Sequence, residues 1–217
     1  MNVTIFRHGQ STANAGEPSD DPASIELTPL GWEQARMIAE APTGAPGLIV
    51  TSPFLRTKQT ARPTVERFPS VAQEEWPIQE FTYLPAEPFK GTTRADRVEF
   101  AAAFWDRSDP FYREGPGAES LNDLFVRVYD MFDRLDRIGS ATNEIAIFGH
   151  GMFMRAILWG VLTNIWTMTP DTMQGFRSFC LSFPIPNAVS LPLSGQDGRW
   201  HVGTLGINHI PEGMVTT

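Results

Sequence analysis

The chain has 217 residues, 41% of them hydrophobic and 19% charged, enough for one good-sized domain whose core needs neither disulfides nor metal. Its formal charge of -8 at pH 7 argues against a nucleic-acid or anionic-membrane surface, and makes any pocket that gathers positive side chains conspicuous. A single cysteine, Cys180, excludes an internal disulfide; the start Met1-Asn2-Val3-Thr4-Ile5-Phe6 lacks the basic residues and long apolar run of a signal peptide, so a cytoplasmic protein with no membrane span is expected.

Residues 3–6 predict a short buried strand running directly into Arg7-His8-Gly9. A loop rich in Gly, Pro, Ser and Asp follows over 10–26. The next helix starts at Thr28, whose hydroxyl suits an N-cap, while Pro29 suits the first helical position. Leu30, Ala35, Ile38 and Ala39 give that helix an apolar face. Gly47-Leu48-Ile49-Val50 predicts a second strand ending at Thr51-Ser52, and Pro53 opens a second helix carrying Leu55, Arg56 and Thr60. A third strand is expected over 76–78.

Residues 84–117 differ in character, with Pro, Gly, charges and many aromatics and one helix over 94–105; the stretch reads as an insertion over one end of the core. Leu121, Leu124, Phe125, Val128, Phe132 and Leu135 then mark a long helix by their spacing. Residues 144–148 predict a strand running into His150-Gly151, followed by a helix over 152–162. The tail reads as short strands at 179–183, 189–193 and 200–205, with Cys180 as a buried thiol in the first. Strands alternating with helices give an α/β fold: one three-layer α/β/α domain over 1–217 with a mostly parallel sheet. Ligands bind beyond the carboxyl ends of such strands, which sets Arg7-His8-Gly9, Thr51-Ser52 and Gly149-His150-Gly151 on one rim.

Two of the four histidines, His8 and His150, hold equivalent places at strand ends, each followed by a glycine (Gly9, Gly151) that lets backbone approach a ligand. The helix after His150 offers free N–H groups and a positive dipole end to an anion. Arg7 lies beside His8, and Arg56 is one turn into the second helix; their guanidinium forks match phosphate oxygens. Together these describe a site for a phosphoryl group. No cluster has metal-ligand spacing, so neither metal nor cofactor is expected. Asp20-Asp21 reads as a solvated loop, Ser52 as an N-cap, and His201 and His209 as structural or exposed. Arg155 reads as packing on the back of its helix, and Arg94, Arg97, Arg107 and Arg113 suit an anionic substrate or a solvated surface equally.

Phe6-Arg7-His8-Gly9-Gln10-Ser11 with Asn14 is followed by Leu27-Thr28-Pro29-Leu30-Gly31 with Gln34-Ala35. Next come Thr51-Ser52-Pro53-Phe54-Leu55-Arg56-Thr57 with Gln59-Thr60-Ala61, then Glu119-Ser120-Leu121 with Arg127, and finally His150-Gly151. In this order they resemble the motifs of the histidine phosphatase superfamily, the group related to phosphoglycerate mutases. The resemblance implies a metal-independent phosphomonoesterase acting on a small phosphorylated metabolite. His8 would attack phosphorus to form a phosphohistidine that water hydrolyses, and a backbone acceptor on its other ring nitrogen would fix the tautomer. Arg7, Arg56 and His150 would stabilise the transferring group, with Asn14 donating a further hydrogen bond.

The family's general acid follows the third strand, which points to Glu80 in Gln79-Glu80-Phe81-Thr82-Tyr83. The family's glycine-rich continuation is replaced here by Thr82-Tyr83-Leu84-Pro85, so Glu74, Glu75 and Glu119 stay open. Two alternatives accompany this reading. One is a phosphoglycerate mutase, although the loop after Asn14 has no counterpart to that enzyme's Phe-Thr-Gly-Trp stretch. The other is a non-catalytic phosphate-binding module. The insertion, with Phe89, Phe104, Trp105, Phe111 and Tyr112, is expected to select the leaving group.

Overall fold

The structure, a computed structural model, describes the whole chain except residues 42, 43, 140, 141, 143 and 197. Its centre is a six-stranded sheet among the described residues. The strands are β1 (Asn2–Arg7), β2 (Leu48–Thr51), β3 (Ala72–Glu75), β4 (Glu144–Gly149), β5 (Ser190–Gln196) and β6 (Arg199–Val202), in spatial order β3-β2-β4-β1-β5-β6. The first four run parallel, while β5 pairs antiparallel with β1, and β6 with β5. β2 and β4 are almost continuously apolar, as strands covered on both faces must be.

Alternation along those strands sorts the core into two halves. Val3, Ile5, Leu48, Val50, Ile145 and Ile147 face one cluster, and Phe6, Ile49, Ala146 and Phe148 face the other. The second cluster is closed by α1 (Pro29–Glu40) and α2 (Leu55–Arg67), through Ile38 and Ala61. The first is closed by α4 (Leu121–Ile138), α5 (Gly151–Thr163) and α6 (Pro170–Ser182). The α/β fold is thus three-layered, as expected. Thr28 caps α1 by accepting from the Gly31 amide at 3.1 Å, and Ser120 and Asp123 form a capping box at the start of α4.

The insertion carries a single turn of 3-10 helix (Ala95–Arg97) and α3 (Val98–Asp106). It is not a loose flap. Phe104 and Trp105 enter the same core as α4 and α5, and Arg97 binds the loop after β1, donating to the Ser19 carbonyl at 3.2 Å and hydroxyl at 3.1 Å.

Two expected strands are corrected. β3 lies at 72–75 rather than 76–78, an exposed polar edge whose charges discourage further pairing. Trp76 and Ile78 come just after it and plug the core instead. The apolar run at 179–183 is the end of α6, not a strand. Thr169 caps that helix and Pro170 opens it, while Met173 and Phe176 form its buried face. Cys180 is therefore a half-buried helical residue, and the neighbouring Leu181 is 81% exposed.

Candidate active site

The parallel register aligns Arg7 with Gly149 and Thr51 with Phe148, so β1, β2 and β4 end on one rim. His8, Ser52 and His150 follow these strands directly. The chain turns tightly after His8 because Gly9 packs backbone to backbone on Gly31 at the start of α1: a Cβ on Gly9 would sit 2.4 Å from the Gly31 carbonyl oxygen. Gly9 was expected to open its backbone to a ligand. Its N–H is instead taken by the Thr60 hydroxyl at 3.1 Å, and its contribution to the site is its carbonyl.

That carbonyl accepts from His8 Nδ1 at 2.7 Å, which places the proton on Nδ1 and the lone pair on Nε2. Nε2 accepts from Arg56 Nε at 3.2 Å. Burial first, then the Arg56 and Arg7 guanidiniums, holds the His8 pKa well below the usual histidine value. The ring is neutral and presents an unprotonated nitrogen. The expected backbone acceptor is there.

His150 is the N-cap of α5, with its ring centroid 5.2 Å from that of His8. Its Nε2 bonds the Ser52 hydroxyl at 2.7 Å, and its Nδ1 is buried without a partner among the described residues. Burial, Arg56 and His8 push its pKa well down. Ser52 is not the N-cap it was expected to be: Phe54 holds that place before α2, without a side-chain cap. The Ser52 hydroxyl accepts from the Phe54 amide at 3.1 Å, bonds Thr57 and fixes the His150 ring.

Arg56 donates from Nη1 to the Pro22 carbonyl at 2.7 Å, and Arg7 from Nη1 to the Ile185 carbonyl. Both are pulled down to about 10 by burial, opposed by Glu80, and both stay charged at neutral pH. Arg7 Nε is buried without a partner, like His150 Nδ1. Gly151 makes room for it, since a Cβ there would lie 3.4 Å from Arg7 Nε.

Glu80 reaches the first turn of α5. Its Oε1 accepts from the Met152 and Phe81 amides, each at 3.0 Å. The other carboxylates are elsewhere or engaged. Glu74 accepts from the Trp76 indole and Glu75 pairs with Lys58, both on the exposed edge strand. Glu119 binds Arg127 Nε at 2.7 Å and Nη2 at 2.9 Å, while Arg127 Nη1 donates to the carbonyls of Pro77 and Gln79. Glu119 and Arg127 therefore hold the segment that carries Glu80.

Asn14 accepts at Oδ1 from the Ser11 amide and hydroxyl and from Asn187 Nδ2 at 3.1 Å, so any hydrogen bond it gives to a ligand would come from its own Nδ2. Asn187, fully buried, also donates to the His8 carbonyl at 3.1 Å. Sequence reasoning passed over Asn187 because nothing in Pro186-Asn187-Ala188 signals a role. It underrated Ser52 for another reason: a hydroxyl before a helix is explained by capping alone. Arg155 was placed on the back of α5, yet its Nη1 lies 3.3 Å from where a Gly151 Cβ would sit, beside Arg7. Among the described residues no group of three or more His, Cys, Asp or Glu could hold a metal, and no helix is long and apolar enough to cross a membrane.

Comparison with known proteins gives this arrangement its relatives. The family model described as histidine phosphatase superfamily (branch 1) matches residues 3–201. The structure is similar to a phosphoserine phosphatase mutant from Entamoeba histolytica in complex with phosphoserine, with a TM-score of 0.72, 19% identity, and coverage of 97% of this chain and 99% of that one. It is similar to the alpha-ribazole phosphatase from Shigella flexneri (TM-score 0.72, 17% identity, coverage 94% and 96%). A mycobacterial glucosyl-3-phosphoglycerate phosphatase in complex with VO3 gives a TM-score of 0.68 at 23% identity, covering 93% of this chain and 96% of that one. No curated protein matches the sequence at a significant level.

Proposed function

The chain belongs to the histidine phosphatase superfamily, and from that membership and the geometry of the rim we propose that it is a phosphomonoesterase working through a phosphohistidine on His8. The observation that carries the proposal is the state of His8: a buried neutral imidazole, its proton held by the Gly9 carbonyl and its Nε2 accepting from Arg56, with the His150 ring 5.2 Å away between centroids.

Nε2 attacks phosphorus as the ester P–O bond breaks, and the leaving oxygen takes a proton from Glu80. Water then attacks the phosphohistidine, giving its proton to Glu80, and phosphate departs as the N–P bond breaks. Arg7, Arg56, the α5 N-terminus and His150 Nδ1 stabilise the charge on the equatorial oxygens. In the tautomer this requires, Ser52 donates to His150 Nε2 and the Nδ1 proton faces the phosphoryl group. The unpartnered donors Arg7 Nε and His150 Nδ1 suit an oxyanion, which would satisfy both. The arginines supply the positive charge, so the reaction runs without metal.

The substrate is a small phosphorylated metabolite, in keeping with the phosphoserine, alpha-ribazole and glucosyl-3-phosphoglycerate phosphatases that share the fold. The test is turnover of p-nitrophenyl phosphate with chelator present. Wild type is expected to hydrolyse it, and His8→Ala to lose at least about a thousandfold in kcat/KM. Turnover that survives in His8→Ala, or that needs added divalent metal, contradicts the proposal.

A further inference from the structure

The turn after His8 is held from behind by chain that meets it only in three dimensions. Beyond β6, residues 207–216 pack on the α1 side of the sheet through Ile207, Ile210 and Met214. His209 Nε2 fastens this stretch by donating to the Ala188 carbonyl at 2.8 Å. The path brings Met214 and Thr216 to Gln34, a fully buried residue of α1, and Thr216 to Asn187, fully buried just before β5.

Hydrogen bonds run through these residues in one direction. Gln34 Oε1 accepts from the Gln10 amide at 2.7 Å and its Nε2 donates to the Met214 carbonyl at 2.7 Å, so two backbone groups fix which way its amide points. Nε2 also donates to Thr216 Oγ1 at 3.2 Å, which leaves the hydroxyl proton for Asn187 Oδ1 at 3.1 Å. The Thr216 carbonyl accepts from the Asn187 amide at 2.7 Å. Asn187 Nδ2 then gives its two protons to the His8 carbonyl and to Asn14 Oδ1, each at 3.1 Å. Turned over, the Asn187 side chain would set an oxygen against both of those acceptors, an opposition that is costly where water is excluded. Its bond to Asn14 joins those from Ser11 in holding the Asn14 amide in the sense that lets Nδ2 donate elsewhere.

We propose that Thr216 and Gln34 are positioning residues of the phosphoryl site: through Asn187 they hold the His8 carbonyl and the Asn14 amide in place behind the attacking ring. This inference rests on the phosphatase reading, and neither residue touches substrate. Thr216 is the sensitive link, because its hydroxyl is the group that both accepts from Gln34 and donates to Asn187. Without that hydroxyl Asn187 Oδ1 loses its donor, and the amide is free to turn.

The test uses Thr216→Val, which keeps the shape and deletes the hydroxyl, Thr216→Ala as a second deletion, and Thr216→Ser, which keeps the hydroxyl. Two quantities are read: kcat/KM for p-nitrophenyl phosphate, and affinity for orthovanadate by calorimetry, which reports on the phosphoryl site without turnover. The Val and Ala variants are each expected to lose about tenfold in both, and the Ser variant to stay within about threefold of wild type. In an Asn14→Ala background, Thr216→Val is expected to cost less than about threefold, because the amide it positions is already gone. Weakened vanadate binding in Val and Ala with a wild type inert on esters upholds the positioning role and overturns the phosphatase reading. Val and Ala at wild-type levels overturn the proposal. So does a Ser variant as impaired as they are, or a loss in the Asn14→Ala background as large as in wild type, since packing alone would produce either.

Discussion

At the scale of single residues, the site depends on keeping an imidazole uncharged in a ring of cations. Burial and the neighbouring Arg56 and Arg7 depress the His8 pKa, so the ring stays neutral well below its ordinary titration range. The acid limb of kcat/KM, corrected for substrate ionisation, is therefore expected to lie clearly below pH 6.5. A limb at or above that value would show that His8 is not the group required in its basic form. Stability follows with the opposite constraint. Below the unfolded pKa the unfolded chain gains protons that folded His8 and His150 refuse, so stability falls with pH by up to about 1.4 kcal/mol per unit for each ring. Urea midpoints at pH 7 and 5.5 would measure this. Arg7, His8, Arg56 and His150 were legible in the sequence because each sits in a local motif at the end of a strand or the start of a helix, whereas Glu80, in the irregular chain after β3, was named only by its order among the motifs. Asn187, Ser52 and Arg155 were not, since what each touches is set by chain far away in sequence, as when Asn187 meets the His8 carbonyl.

At the scale of elements, the strand ends deliver the histidines while a buried ion pair holds the segment that carries Glu80, the proposed acid. Arg127 on α4 reaches Glu119 with two bonds and the Pro77 and Gln79 carbonyls with two more. The pair is 11% and 16% exposed, and removing one partner leaves the other charge poorly solvated. Arg127→Ala is expected to cost about 3 kcal/mol in stability. It is also expected to lower kcat more than it raises KM, because the segment before Glu80 loses its anchor. A stability loss with kcat intact would make the pair purely structural. The elements themselves were largely readable where one signal dominated: α4 from its spacing, α1 from Thr28-Pro29. α6 was missed although Thr169-Pro170 announces it, because the run Phe179–Phe183 offers the same apolar content to either period. β3 was displaced for a related reason. Its polar edge carries no hydrophobic signal, and the apolar Trp76 and Ile78 just after it belong to the core rather than to the sheet.

At the scale of the molecule, alternating strands and helices were enough to give the three-layer α/β/α plan and to set the motifs on one rim. The junction between insertion and core was not readable, because it rests on single contacts across long sequence distances. Arg97 is the chief of these, donating to the Ser19 carbonyl and hydroxyl, 78 residues away, while its bonds to Thr92 and Phe89 stay within the insertion. If the insertion selects the leaving group, Arg97→Ala should lower hydrogen-exchange protection around Thr92 and raise KM for metabolite esters more than for the aryl ester. Equal changes for every substrate would remove the insertion from specificity. The central claim, however, is covalent. Rapid acid-free quenching of wild type during turnover, followed by intact-protein and peptide mass spectrometry, tests it most directly. The account predicts a transient species heavier by one phosphoryl group, acid-labile, located on His8 and absent from His8→Ala. Turnover at full rate with no such species, or with the phosphoryl group on another residue, would contradict it.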